Sequence, residues 1–329
     1  MNKQIIIEEV IKDAYFKDEE IEQPAPIITI DKKVIGNLGN FICISGLPKS
    51  RKTTFASYMI ASAIKREPVF NMYVNLNIDE KILLIDTEQS IYDFSKQIKL
   101  LKYTLKVKKL PEQFKAYLFR KYEPDTILNS IYTLVKEQRP KIIFIDNLTE
   151  LVINPNDMVE SKKVIQFLKL ITAEFNLLVV CLLHLSKSNL QTLGNLGSYT
   201  DRGAQSVLKV TLDKETGTST LEAQLMRSDS FFNPISIGYN ENTKNYEQVE
   251  HQADKPKTKK FILMNLTAED HNNRLNAIFF TQKLFSYEEL IEEIKKIYGV
   301  GTNISKQQIL PYLRGNNFLK QDANKFYHL

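Results

Sequence analysis

Along most of the chain, short unbroken apolar runs alternate with longer stretches whose apolar positions recur every three or four residues. FICIS (41–45), KILLID (81–86), KIIFID (141–146) and LLVVCLLH (177–184) are unbroken runs that predict strands buried on both faces. Between them, TTFASYMIASAI (53–64), SIYDFSKQIKLLKYTL (90–105), TILNSIYTLVKEQ (126–138) and VESKKVIQFLKLITAEF (159–175) carry the period of amphipathic helices. AYLFRKY (116–122) adds a strand, and Glu123-Pro124-Asp125 suits a helix start. This alternation predicts a parallel α/β sheet covered by helices on both sides.

The texture changes after Gly203. AQSVLKVTLD, a KETGTS turn, STLEAQLMRS, NPISIGYN and NYEQVE predict antiparallel strands added to one edge of the sheet. At the other end of the chain, PAPIITI reads as an extended approach segment closing an N-terminal extension over 1–30. The α/β domain is then expected over 31–250. Polar, lysine-bearing HQADKPKTKK marks a linker over 251–262. The remainder, 263–329, reads as three helices (AEDHNNRLNAIFF, SYEELIEEIKKIY, SKQQILPYLRGNNF) and a short strand pair through LKQDANKFYHL. That order suggests a small winged-helix-like α+β module whose third helix enters a major groove. A protein-interaction or oligomerisation domain of the same shape is the alternative. From residue 252 onward twelve Lys and Arg stand against eight Asp and Glu, a weak basic bias that leaves both readings open.

Composition adds bounds. The net charge of +5 permits a nucleic-acid partner without demanding one. Cys43 and Cys181 both fall inside apolar runs, so neither a disulfide scaffold nor a cysteine-based metal site is expected. The first residues lack a signal-peptide pattern, and the longest apolar run is far short of the roughly 20 residues needed to span a bilayer. A soluble cytoplasmic protein with no membrane partner is expected.

Candidate chemistry begins at SGLPKSRKTTFA (45–56), between a predicted strand and a predicted helix. The pattern G-x-x-x-x-G-K-[ST] cradles phosphates with backbone N–H groups at a helix N-terminus. Gly46, Pro48, Lys49, Ser50, Arg51, Lys52, Thr53 and Thr54 fill it, except that Arg51 stands where the second glycine belongs. In that frame Lys52 reaches the β- and γ-phosphates of ATP, Thr53 ligates Mg²⁺, and Thr54 caps or contacts the α-phosphate side. A Cβ at position 51 must point away from phosphate, leaving the guanidinium to lie along the nucleotide or the neighbouring subunit. Alone, the stretch reads as a working site, a decayed one or a basic turn.

Three strand ends bear on that choice. Asp146 emerges at the carboxyl end of KIIFID, where ligands bind in open parallel sheets, and is placed to hold Mg²⁺. Glu88, in KILLIDTEQS, is placed to orient the attacking water from a strand adjacent to that of the phosphate loop. His184 ends LLVVCLLH as a γ-phosphate sensor ahead of a long polar loop, SKSNLQTLGNLGSYTDRG, of the kind that is usually functional.

With these residues in order, the chain resembles the RecA-like ATPases, and among them hexameric helicases of the RepA and DnaB type, over about residues 30–250. GLPKSRKTT corresponds to Walker A, DTE to the catalytic glutamate motif and IIFIDN to Walker B. The His184 strand and the passage from Gly197-Ser198 to Ala204-Gln205-Ser206 also fit. The resemblance implies an ATP-hydrolysing motor, assembled as a homo-oligomer, with a hexamer favoured. Loops after the histidine strand would touch single-stranded DNA, which singles out Lys187, Ser188 and Arg202. It also implies a basic finger across the subunit interface. Arg227 in LEAQLMRSDS matches its arginine, whereas Leu225 replaces the usual lysine. A helicase of a plasmid, phage or mobile element, with a replication or mobile-element protein as a further partner, follows as the first expectation. An ATP-switched DNA-binding or loading protein that oligomerises without processive unwinding is the second.

Overall fold

The computed structural model describes residues 24–185, 193–250, 266–280, 282–322 and 325–329. It divides into two compact units, Met1–His251 and Gln252–Leu329.

In the first unit the strands are β1 (Pro26–Ile30), β2 (Lys33–Asn37), β3 (Phe41–Gly46), β4 (Met72–Val74), β5 (Ile82–Asp86), β6 (Phe114–Leu118), β7 (Ile142–Asp146), β8 (Leu178–His184), β9 (Ser206–Leu212), β10 (Ser219–Met226), β11 (Ile235–Asn240) and β12 (Asn245–Val249). The helices between them are α1 (Lys52–Lys65), α2 (Ile91–Leu105), α3 (Pro124–Gln138), α4 (Met158–Phe175) and α5 (Gly194–Gly203). Nine strands form one sheet in the order β12-β11-β10-β9-β3-β8-β7-β5-β6, parallel from β9 to β6. The sheet is thus a parallel α/β core with the loop-bearing strand β3 in its interior and an antiparallel edge. The antiparallel pairing expected after Gly203 is present between β9 and β10, and on its other side β9 joins the parallel core beside β3.

The unbroken apolar runs are explained by burial on two sides. In β3, β5, β7 and β8, Ile42, Ile44, Leu84, Phe144 and Val180 join one core with α1, while Cys43, Leu83, Ile85, Ile143 and Cys181 join another with α3 and α4. Successive side chains point to opposite faces, so every position in such a strand must be apolar. Both cysteines are free and buried, opposite one another in the β3–β8 register.

Two stretches depart from the sequence reading. PIITI is a strand, not an approach segment: β1 pairs with β2 and β4 in a separate three-stranded sheet, with Ile28 and Ile30 fully buried. Part of the expected long loop is the helix α5, despite three glycines. Leu196 and Thr200 bury one of its faces, and a Cβ on Gly203 would come within 2.9 Å of the Phe41 ring. Tertiary packing outweighs a propensity penalty of about 1 kcal/mol per glycine. Among the described residues, no helix is long and apolar enough to cross a membrane.

The second unit contains α6 (Ala268–Phe279), α7 (Tyr287–Tyr298), a helical stretch in three pieces (Thr302–Ile304, Ser305–Ile309 with a π turn, Leu310–Gly315), and the paired strands Lys320–Gln321 and Tyr327–His328. Capping boxes at Thr267/Asp270 and Ser286/Glu289 start α6 and α7. Leu275, Leu290, Ile294, Leu313 and Tyr327 share one core, and Phe285 bridges to Tyr327 ahead of α7.

Candidate active site

The carboxyl ends of β3, β8, β7 and β5 lie side by side, Gly46 opposite His184 and Asp86 opposite Asp146. Gly46 opens the loop because nothing larger fits: a Cβ there would meet Ser50 Oγ at 2.6 Å and the Val210 carbonyl at 2.7 Å. Pro48 and Lys49 are exposed, whereas Ser50 is buried. Lys49 and Arg51 adopt left-handed backbone, φ 65° and 75°, on either side of Ser50. Such alternation gathers successive N–H groups into an anion-binding concavity. Helix α1 then begins at Lys52 with no side-chain cap and no acid in its first turn. Its first N–H groups are left for an incoming acceptor. Among the described residues the buried Ser50 hydroxyl has no hydrogen-bond partner, which makes it a further available donor. The loop therefore fits a phosphate chain.

The Arg51 guanidinium is engaged by its own chain. It donates to the Gly217 carbonyl (2.5 Å) and to Ser219 Oγ (3.1 Å), and covers the ring of Tyr246 at 4.9 Å. Holding a non-glycine residue in left-handed backbone costs about 1–2 kcal/mol, which these contacts offset.

Lys52 is buried, and its ammonium donates to the carbonyls of Gly46 (3.0 Å) and Leu47 (3.1 Å) and to His184 Nδ1 (3.0 Å). Burial lowers its pKa, while Asp146 and Glu88 pull it back up. An ammonium can only donate, so His184 Nδ1 accepts and the ring proton sits on Nε2. From there it donates to Glu88 Oε2 at 3.1 Å. Asn147 Nδ2 donates to the same oxygen, also at 3.1 Å. These contacts, the His184 bond first, hold the Glu88 carboxyl down to about 2 against burial. Glu88 is thus an ionised carboxylate at the end of a Lys52–His184–Glu88–Asn147 chain. Its strand is not adjacent to the loop strand: β8 and β7 lie between β5 and β3. Glu88 meets His184 because the turn after β5 carries it back across the end of β7.

Asp146 is buried, and among the described residues its carboxylate accepts one hydrogen bond, from Thr53 Oγ1 at 2.5 Å. Burial pushes it up to about 7, with Thr53 opposing. A hydroxyl and an under-compensated carboxylate held together suit a hard cation. Among the described residues there is no cluster of three or more His, Cys, Asp or Glu that could hold a metal alone, so a cation here would share its ligands with a bound phosphate.

The sequence reading passed over the residues that brace this arrangement. Asp86 accepts from the N–H groups of Glu88 (3.1 Å) and Gln89 (2.8 Å) and from the Gln89 amide, which shapes the turn bearing Glu88. Thr87 N donates to the Asp146 carbonyl (2.7 Å), and Thr87 Oγ1 donates to the Asn147 carbonyl (2.9 Å) and accepts from Asn147 N (2.8 Å). KILLID and KIIFID both end in aspartate, so the signal for Asp86 was present.

Thr54 does not cap α1. With Thr53 it borders a cleft of about 670 Å³ whose walls include Lys96, Gln97, Tyr103, Tyr239 and Tyr246. Arg227 lies elsewhere. It follows Met226, which pairs with Ser206 at the start of β9, whereas Gly46 pairs with Val210; four strand residues, about 13 Å, separate the two levels. Arg227 Nη2 donates to the Arg202 carbonyl at 3.0 Å. Arg202 sits on α5, bonded to Ser198 Oγ (2.7 Å) and lying over the Tyr199 ring. Lys187 and Ser188 fall outside the described residues.

Comparison with known proteins adds a backbone likeness. No protein-family model matches the chain, and no curated protein sequence does. Among solved structures it is similar to a KaiC-like protein from the hyperthermophilic archaeon Pyrococcus horikoshii OT3, with a TM-score of 0.46 and 15% identity, over 65% of this chain and 90% of that one.

Proposed function

We propose that the chain is an ATP-hydrolysing, oligomeric motor acting on DNA, of the RepA/DnaB-like helicase kind. The observation that carries this reading is the Lys52–His184–Glu88–Asn147 chain standing beside the Thr53–Asp146 pair at an uncapped helix start. Lys52, Ser50 and the loop N–H groups bind the phosphates, and the nucleoside occupies the cleft beside Thr54. Thr53 and Asp146 hold Mg²⁺, which when bound neutralises phosphate charge and orients the transferred group. Glu88, ionised across neutral pH, orients a water and accepts its proton. Asn147 and His184 fix that carboxylate. Phosphate competes with His184 for the Lys52 ammonium, so His184 is the residue through which occupancy reaches Leu185 and the segment after it.

Arg227 acts on a neighbouring subunit's site, a role supported by its distance from its own chain's loop. In the second unit, the order helix, bridge strand, two helices and hairpin supports a winged-helix reading. The run 299–321 contains no acidic residue and exposes Asn303, Lys306, Gln307 and Arg314 on the third helical stretch, whereas Glu288, Glu289, Glu292 and Glu293 lie on α7. That segregation supports contact with DNA phosphates and base edges.

ATP turnover with and without single-stranded DNA tests the proposal. Turnover is expected to rise with DNA and to vanish in Lys52→Ala and Glu88→Gln. Equal rates with and without DNA would remove the motor. Full turnover that leaves a forked duplex wound would favour an ATP-switched loader.

A further inference from the structure

The phosphate-loop pattern places glycine where this chain has arginine, and the backbone there is left-handed, φ 75°, as a glycine would adopt without strain. The arginine stands at a position that disfavours it, and its side chain is engaged through Nη1 and the guanidinium face. Nη1 reaches both the Gly217 carbonyl and Ser219 Oγ, at the turn between β9 and β10. The guanidinium face covers Tyr246 of β12, whose ring meets Tyr239 edge-on at 5.3 Å. Both rings line the cleft that begins at Thr53 and Thr54. One side chain thus joins the residue just ahead of α1 to the aromatic wall across the cleft. Arginine suits this work: one terminal nitrogen serves two acceptors while the flat guanidinium face lies on a ring.

We propose that Arg51 is a positioning residue for the nucleoside, fixing the Tyr246–Tyr239 wall relative to the phosphate loop so that ATP is held by both ends. It makes no contact with phosphate through its side chain. The inference rests on the proposal that this site binds ATP.

The test compares equilibrium affinities for Mg·ATP and for inorganic tripolyphosphate in wild type, Arg51→Gly, Arg51→Lys, Tyr246→Ala and the Arg51→Gly/Tyr246→Ala double variant. Arg51→Gly should weaken ATP about tenfold, the scale of one lost base–aromatic stack, and leave tripolyphosphate unchanged, which also reports an intact loop. Arg51→Lys should recover part of the loss. The double variant should bind ATP as Tyr246→Ala does, since both changes remove one arrangement. Unchanged ATP affinity in Arg51→Gly, a parallel loss of tripolyphosphate, or additive losses in the double variant would each overturn the inference. Wild type that binds neither compound would instead overturn the nucleotide reading, and this inference with it.

Discussion

The ends of β5 and β7 invite comparison, because each is an apolar run closing on a buried aspartate, and Asp86 and Asp146 are register neighbours. Their surroundings differ. Asp86 is engaged by two backbone N–H groups and an amide, all from the turn it starts. Among the described residues Asp146 has one hydroxyl, supplied by the first turn of α1. Burial raises the pKa of both carboxyls, yet only Asp86 is compensated by three local donors. The same residue in the same local pattern is therefore a structural brace in one strand and a ligand-poised group in the next. What separates them is the turn that follows: Thr-Glu-Gln curls back to satisfy Asp86, while Asn147 turns its side chain to Glu88 and Thr149 and leaves Asp146 open.

The sharpest way to break the comparison is at Glu88, which the Asp86 turn presents. Glu88→Gln should lower kcat by about 10²–10⁴-fold, the range for a lost general base, with nucleotide affinity retained. A turnover rate unchanged in stopped-flow phosphate release would move the reacting carboxylate elsewhere.

Asp86→Ala comes next. It strands the Glu88 and Gln89 N–H groups and should lower the unfolding free energy by about 2–3 kcal/mol, measured by urea denaturation. A loss below the error of that measurement would show that the brace is dispensable.

Asp146→Asn should do the reverse in the nucleotide-free chain. The folded value near 7 exceeds the ordinary 3.8, so the aspartate's stabilising contribution is complete below about pH 4 and is lost as pH rises through about 7. At pH 8 the variant should be more stable than wild type by about 4 kcal/mol, with the gain gone at pH 4. Glu88 runs the other way: its contribution is present above its ordinary 4.5 and is lost only as pH falls through about 2. A variant equally stable at both pH values relative to wild type would contradict the assignment of Asp146 as an under-compensated carboxylate.

The sheet was largely legible from the chain, since a strand buried on both faces cannot hide its unbroken apolar run. The misplaced pieces share a physical cause. β1 lies beside prolines and pairs outside the main sheet, and α5 is glycine-bearing and held by packing. Neither is settled by local pattern. The candidate site divides the same way. Lys52, Thr53 and Asp146 carry a spacing that can be read, and the structure brings them together with Glu88 and His184. Strand order cannot be read, so Glu88 was assigned to the wrong neighbour strand although its side chain does reach the site. The direction of Arg51 and the brace made by Asp86 and Thr87 depend on contacts from residues 60 to 195 positions away or on turn geometry.

The central claim is that the end of β7, and not that of β5, binds the cation of a Mg·ATP substrate. Its most direct test is the equilibrium affinity for ATP with Mg²⁺ and with EDTA, in wild type and in Asp146→Asn. Wild type should bind ATP about tenfold or more tighter with Mg²⁺, as one charge-assisted contact implies, and Asp146→Asn should lose that dependence. The same Mg²⁺ dependence in both proteins would contradict the account.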